Sequence, residues 1–254
     1  MDKWCTARII WIKHWTPTLL SFRIARPEGY CFTPGHYARL GLADGSDEAV
    51  WRPFSMVSAV EDDFLEFIVV LVPGGKFSEQ LRSKKVGEDL MVEKLSRGFL
   101  TLDQLAPGED IWMLASGSGI GPFLSILKEA KTWKSFGRLI LVHSVRHRED
   151  LAYRDEIETR RAVWSGNDGN GTLSYIPVVT REAYPGALQA RITQLAIDGQ
   201  LECAGETAIG VDHSRVMVCG NPELTRDMRG FLAARGFQTS RRGVPGQMAF
   251  EKYW

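Results

Sequence analysis

The sequence predicts an antiparallel β-barrel or sandwich followed by a parallel-sheet α/β unit. Three observations carry this expectation. The hydrophobic period changes once, near Leu100; polar turn clusters cut the first part into strand-length pieces; and a glycine-rich turn stands where the first strand of the second part becomes a helix. A chain of 254 residues has room for two compact domains with a substantial core.

From Thr6 to about Leu100 the apolar stretches are short and rich in β-branched and aromatic residues: ARIIWI, LLSFRIA, HYARLGL, FLEFIVVLV and DLMVEKL. RPEG, FTPG, ADGSDE, EDD and PGG separate them, as turns separate antiparallel strands. From Glu109 strand and helix alternate. IWMLASG precedes PFLSILKEAKTW, RLILVHSV precedes LAYRDEIETRRAV, LSYIPVVTR precedes ARITQLAIDGQL, and SRVMVCG precedes PELTRDMRGFLAARG, with MAFEKYW as a last extended piece. Such alternation implies a parallel sheet with helices on its faces. The boundary is expected in the turn DQLAPGED, residues 103–110. Tryptophans such as Trp112 are expected in the core.

Composition narrows the function. Thirty-one basic and thirty-one acidic residues cancel, so the overall charge gives no reason to expect nucleic acid or a membrane surface as partner. Cys5, Cys31, Cys203 and Cys219 lie far apart with no C-x-x-C pair, so reduced thiols and no metal site are expected. The N-terminus is charged throughout and no apolar run approaches about 18 residues, so a cytoplasmic protein is expected.

The glycine-rich turn is LASGSGIGP, in which Gly117, Gly119 and Gly121 read G-x-G-x-G and Pro122 follows. Glycines let a backbone approach a phosphate at a helix N-terminus, and proline suits the first helical turn; a tight turn without a ligand also favours glycine. In a NAD site the next strand ends in an acidic residue that accepts from the ribose 2′-hydroxyl. Here it ends in Arg146, and Arg181 and Arg191 follow at later strand or helix ends, a set that suits a 2′-phosphate as well as it suits solvated surface charge.

In the first part, WRPFSMVSA joins Arg52, Phe54 and Ser55 around Pro53, which argues for an edge or a bend lining a cleft. Arginine can hold a phosphate, an aromatic ring can cover a flat heterocycle, and a serine hydroxyl can reach a ring nitrogen. Further on, Pro73-Gly74-Gly75-Lys76-Phe77-Ser78 opens the helix SEQLRS, and reads either as an anion site or as a capped helix.

Taken in order, R-x-[YF]-S, G-G-x-x-S, G-x-G-I-x-P and C-G-N-P resemble the ferredoxin–NADP⁺ reductases, and within them the bacterial ferredoxin/flavodoxin reductases, over essentially the whole chain. The resemblance implies an antiparallel FAD-binding barrel over residues 1–105 and a parallel-sheet NADP-binding α/β domain over residues 106–254. It implies that Arg52, Pro53, Phe54 and Ser55 hold FAD, with the backbone of Ile68, Val69 and Val70 nearby. Gly75, Lys76, Phe77 and Ser78 would take its pyrophosphate, and Ser118 would lie near the flavin. Gly117, Gly119, Pro122, Cys219, Gly220, Asn221 and Pro222 would frame the pyridine nucleotide, with Arg146, Arg181 and Arg191 on its 2′-phosphate. Tyr253 and Trp254 match an aromatic tail that covers part of FAD. Phe54 replaces the commoner tyrosine, which keeps ring coverage but loses a phenolic hydrogen bond, and Gly121 replaces the commoner alanine.

The implied chemistry is reversible: NADPH gives hydride to flavin N5 and the flavin passes single electrons to ferredoxin or flavodoxin. Ser55 would bond near N5, Cys219 would pack beside the nicotinamide, and Glu251 would act as a proton relay or polar partner. A monomer is expected. The alternatives are a free-flavin reductase and the reductase component of an oxygenase, the latter disfavoured by the lack of a cysteine cluster for [2Fe–2S].

Overall fold

The structure, a computed structural model, describes residues 3–43, 49–164 and 171–253. In the first part β1 (Trp4–Thr16), β2 (Leu19–Ala25), β3 (Tyr37–Ala43), β4 (Ala49–Ser55), β5 (Phe64–Val70) and β6 (Asp89–Glu93) form an antiparallel sheet in the order β4-β3-β6-β1-β2-β5, and helix α1 (Lys76–Ser83) lies between β5 and β6 in sequence. Alternate residues point inward, as a period of two requires: Ala7 and Ile9, Phe22 and Ile24, Ala38 and Leu40, Leu65 and Phe67, Leu90 and Val92 share one core. Beyond β4 the chain reaches β5. Val57 N–H donates to the Glu66 carbonyl at 2.8 Å and Met56 bridges Phe67, so the sheet closes on itself and is a barrel rather than a sandwich. Pro53 sits on β4 at the end of the strand order, where its missing N–H is tolerated.

The second part contains β7 (Asp110–Ser116), α2 (Gly121–Leu127), α3 (Ala130–Ser135), β8 (Arg138–Val145), α4 (Arg154–Trp164), β9 (Thr172–Val179), α5 (Ile192–Ile197), α6 (Gln200–Gly205), β10 (Ser214–Gly220), α7 (Pro222–Ala234) and β11 (Met248–Lys252). Its five strands are parallel, in the order β11-β10-β7-β8-β9. Ile111, Met113 and Ala115 pack with Phe123, Trp133 and Ile157 on one face. Trp112 and Leu114 pack with Leu195, Leu201 and Met228 on the other. Burial on both faces explains why these strands read as unbroken apolar runs. The chain moves outward from β7 to β9, then returns to place β10 on the other side of β7; the strand order therefore reverses at the carboxyl ends of β7 and β10, where ligands bind in open α/β sheets.

Three predicted helices differ. PFLSILKEAKTW divides into α2 and α3, and ARITQLAIDGQL into α5 and α6 around Gly199, whose φ of 72° breaks a right-handed helix. LAYRDEIETRRAV becomes helical only at Arg154, because Tyr153 holds a φ of 63°. The two parts are packed together: Leu19, Val57 and Ile68 of the barrel share a core with Ile120, Phe123 and Ile126. Ser125 Oγ donates to the Ser58 carbonyl at 2.7 Å and Lys128 Nζ to the Val57 carbonyl at 3.0 Å across the same junction.

Candidate active site

At the switch point β7 ends in Ser116 and passes through a 3₁₀ turn, Gly117–Ile120, into α2. Gly117 has φ 56° and a Cβ there would meet nothing within 4 Å, so its backbone is open to a ligand. The other two glycines serve packing. A Cβ on Gly119 would lie 2.3 Å from the Cys219 carbonyl oxygen, and one on Gly121 3.2 Å from Ile68 Cγ2. Of the three, only Gly117 has open space where a Cβ would stand. Pro122 occupies the first turn of α2 and Ser118 is buried beneath it.

The end of β10 answers the end of β7. Gly220, with φ 155°, lets the strands close, since a Cβ would stand 2.1 Å from Ser116 Oγ. Ser116 Oγ accepts from Asn221 N at 3.1 Å and from Asn221 Nδ2 at 3.3 Å. Asn221 Oδ1 accepts from Leu224 N at 2.9 Å and so caps α7, which begins at Pro222. Behind Gly117 lies His143, fully buried, with Nε2 3.1 Å from the Gly117 carbonyl; burial lowers its pKa to about 4, so the neutral ring donates this bond. Ser116 and His143 escaped the sequence reading, because only the strand order places them under the turn.

A cavity of about 1400 Å³ opens from this point. Gly117, Arg146, Arg181, Arg191, Asn221 and Pro222 line it from the α/β side, and Leu19 and Val70 from the barrel. The three arginines predicted from scattered positions thus meet in one place. Arg181 N donates to the Arg146 carbonyl at 3.0 Å, which keeps the two neighbours. Arg191 forms an ion pair with Glu223. Arg226, not anticipated, lines the same cavity and pairs with Asp227 at 2.8 Å.

On the barrel, Arg52 is exposed and its guanidinium donates to the Trp51 carbonyl at 2.8 Å. Phe54 packs on Phe77 with ring centroids 5.1 Å apart, which brings β4 beside α1. Phe77 is a core residue, and the buried hydroxyl of Ser78 in the first turn of α1 accepts from Val72 N at 2.9 Å. Exposed Lys76, Gly74 at φ 72°, Gly75 at the helix cap and the first N–H groups of α1 adjoin them and are open to an anion. Ile68 and Val69 turn their side chains into cores, while Val70 is exposed at the cavity wall.

The two sides meet in a cluster of buried Ser55 and Cys219 with half-buried Glu251 and Tyr253. Ser55 Oγ, at the end of β4, donates to Glu251 Oε1 at 2.9 Å. Glu251 stands on β11 directly opposite Cys219 on β10. The Tyr253 hydroxyl is in hydrogen-bonding contact with both Ser55 and Cys219, and its backbone N–H donates to the Gly220 carbonyl at 2.8 Å. Burial pushes the Glu251 carboxyl up to about 7 against the opposing pull of the Ser55 hydrogen bond. Burial, reinforced by Glu251, also drives the Cys219 thiol well up, and burial does the same to the Tyr253 phenol. All three groups are therefore neutral, or in the case of Glu251 balanced between two states, near pH 7. Trp254 lies outside the described residues.

Comparison with known proteins agrees with this division. Residues 15–96 match the oxidoreductase FAD-binding domain and residues 113–230 the oxidoreductase NAD-binding domain. The chain is 38% identical to the flavodoxin/ferredoxin–NADP reductase of Shigella flexneri and 37% identical to that of Escherichia coli, each over 100% of both chains. A ferredoxin NADP⁺ reductase from Neisseria gonorrhoeae, solved with bound FAD and NADP, superposes with a TM-score of 0.93 at 34% identity over 100% of both chains. The chain belongs to the ferredoxin/flavodoxin–NADP reductase family of FAD-containing, NADP-dependent oxidoreductases.

Proposed function

We propose that the protein binds FAD on the barrel and NADP(H) across the ends of β7 and β10, and exchanges electrons between NADPH and ferredoxin or flavodoxin. The observation that carries this reading is the convergence of Ser55 from one unit with Cys219, Glu251 and Tyr253 from the other, at the junction of two nucleotide-binding surfaces. The residues fit the cofactor. Arg52, Lys76 and the open first turn of α1 form a cationic surface for a pyrophosphate, and the Phe54–Phe77 pair supplies an aromatic wall. Arg146, Arg181 and Arg191 suit a 2′-phosphate.

Bound FAD supplies the hydride-accepting ring and the change from two-electron to one-electron transfer. The chain supplies position and protons. Ser55 orients a hydroxyl at the junction and holds Glu251; Glu251, titrating near 7, can take up or release a proton at Ser55 Oγ without leaving its site. Cys219 and Tyr253 flank the cluster with uncharged groups. In this reading the units divide near residue 105 and the protein works as a cytoplasmic monomer. The test is to mix the purified yellow protein with NADPH and flavodoxin or ferredoxin: bleaching of the flavin with reduction of the acceptor is expected. Release of FMN rather than FAD on heating, or turnover of free flavin without acceptor reduction, would contradict it.

A further inference from the structure

Tyr153 belongs to the α/β unit but packs its side chain against the outer face of the barrel. It is 2% exposed and holds φ at 63°, a left-handed conformation that a bulky residue keeps only where its surroundings impose it. Its hydroxyl is 2.6 Å from Ser21 Oγ on β2 and 2.6 Å from Glu66 Oε1 on β5, and its ring centroid lies 4.9 Å from that of Trp15 on β1. The proton inventory fixes the direction of this chain. Trp15 Nε1 donates to Ser21 Oγ at 2.9 Å, so the single Ser21 proton is free for Tyr153, and the single Tyr153 proton goes to Glu66. Glu66, also 2% exposed, accepts at its other oxygen from Arg23 at 3.0 Å. Every polar group in this buried chain is satisfied, which makes it rigid.

Its location gives it a consequence for the reaction. Ser21 is on the strand that carries Leu19, and Glu66 on the strand that carries Val70, and both Leu19 and Val70 line the nucleotide cavity. Tyr153 follows the segment that carries Val145 and Arg146 to the opposite wall. The chain therefore ties together the elements that carry the two walls of the cleft without lining it, and includes neither the groups assigned to FAD nor those assigned to NADP. We propose that Tyr153 is a positioning residue that fixes the α/β sheet against the barrel at the spacing hydride transfer requires; this rests on the reductase reading above.

Tyr153→Phe keeps the ring on Trp15 and removes the hydroxyl. In the full-length, FAD-loaded protein at saturating NADPH, the limiting rate of flavin reduction should fall about tenfold, because small misplacement of reacting groups is costly to rate. Binding of 2′,5′-ADP, which tests the α/β side alone, should stay within about twofold, because no contact of that side is removed. Ser21→Ala interrupts the same chain one link earlier and should slow reduction in the same direction by less, which keeps the test available if Tyr153→Phe does not fold. An unchanged limiting rate in both FAD-loaded variants, or a loss confined to 2′,5′-ADP affinity, would overturn the proposal. Absence of flavin reduction by NADPH in the wild type would instead overturn the reductase reading on which it rests.

Discussion

The arginine-lined cavity and the cluster around Ser55, the two ends of the proposed site, are built by opposite means. At the first end Arg146, Arg181 and Arg191 are exposed and charged, and are carried by turns after strands or before helices. At the second, Ser55, Cys219, Glu251 and Tyr253 sit on or just past strand ends and are linked in a cluster in which Ser55 and Cys219 are buried and Glu251 and Tyr253 half-buried. Exposed charges interact strongly with a doubly charged phosphate but are screened by water and salt, so they suit selection of a ligand. Buried groups cannot be screened and hold fixed geometry and tuned protonation, so they suit the chemical step. The difference teaches that affinity and rate should be separable by mutation.

The largest expected effect is at the charged end. Arg181 forms no ion pair among the described residues, and a charge-assisted hydrogen bond is worth about 1.5–3 kcal/mol, so Arg181→Ala should lower kcat/KM for NADPH roughly 10- to 150-fold while changing NADH little. Arg191 must first release Glu223, so Arg191→Ala should cost less, about two- to tenfold. Steady-state kinetics with both nucleotides check these values, and equal losses for NADPH and NADH would remove the arginines from the 2′-phosphate site.

At the buried end, Ser55→Ala removes one hydrogen bond worth about 0.5–1.5 kcal/mol, so the limiting rate of flavin reduction should fall about two- to tenfold in a protein that retains FAD. Salt offers a milder version of the same contrast. Shortening the Debye length from about 30 Å to about 8 Å should raise KM for NADPH severalfold and leave the limiting rate unchanged.

The smallest effect is on stability. Glu251 has a folded pKa near 7, above the ordinary carboxyl value, so its contribution is fully present below the unfolded pKa and is lost as pH rises through about 7. Between about pH 5 and about pH 8 the wild-type Tm should therefore fall by more than that of Glu251→Gln. Parallel curves would show that the carboxyl titrates in the ordinary range.

The two-unit fold was legible because each unit has its own period: alternating inward residues such as Ala38 and Leu40 in the barrel, and continuous apolar runs such as Ile111–Ala115 in a sheet covered on both faces. The arginines were legible because each stands at a strand or helix end. What escaped depends on partners distant in sequence. Ser116 meets Asn221 and His143 meets Gly117 only because β10 and β8 flank β7. Tyr153 reads as the start of a helix until Ser21 and Glu66 are seen to hold it. The packing need for glycine at 119 and 121 was not legible, because a glycine required by packing and one required by a phosphate are the same letter.

The separation of the two ends is tested most directly by stopped-flow reduction of the bound flavin over a range of NADPH concentrations, in the wild type, Arg181→Ala and Ser55→Ala. The account predicts that Arg181→Ala raises the apparent Kd and keeps the limiting rate, whereas Ser55→Ala lowers the limiting rate and keeps the Kd. If both parameters shift together in both variants, affinity and rate are not divided between the charged and the buried ends, and the account is wrong.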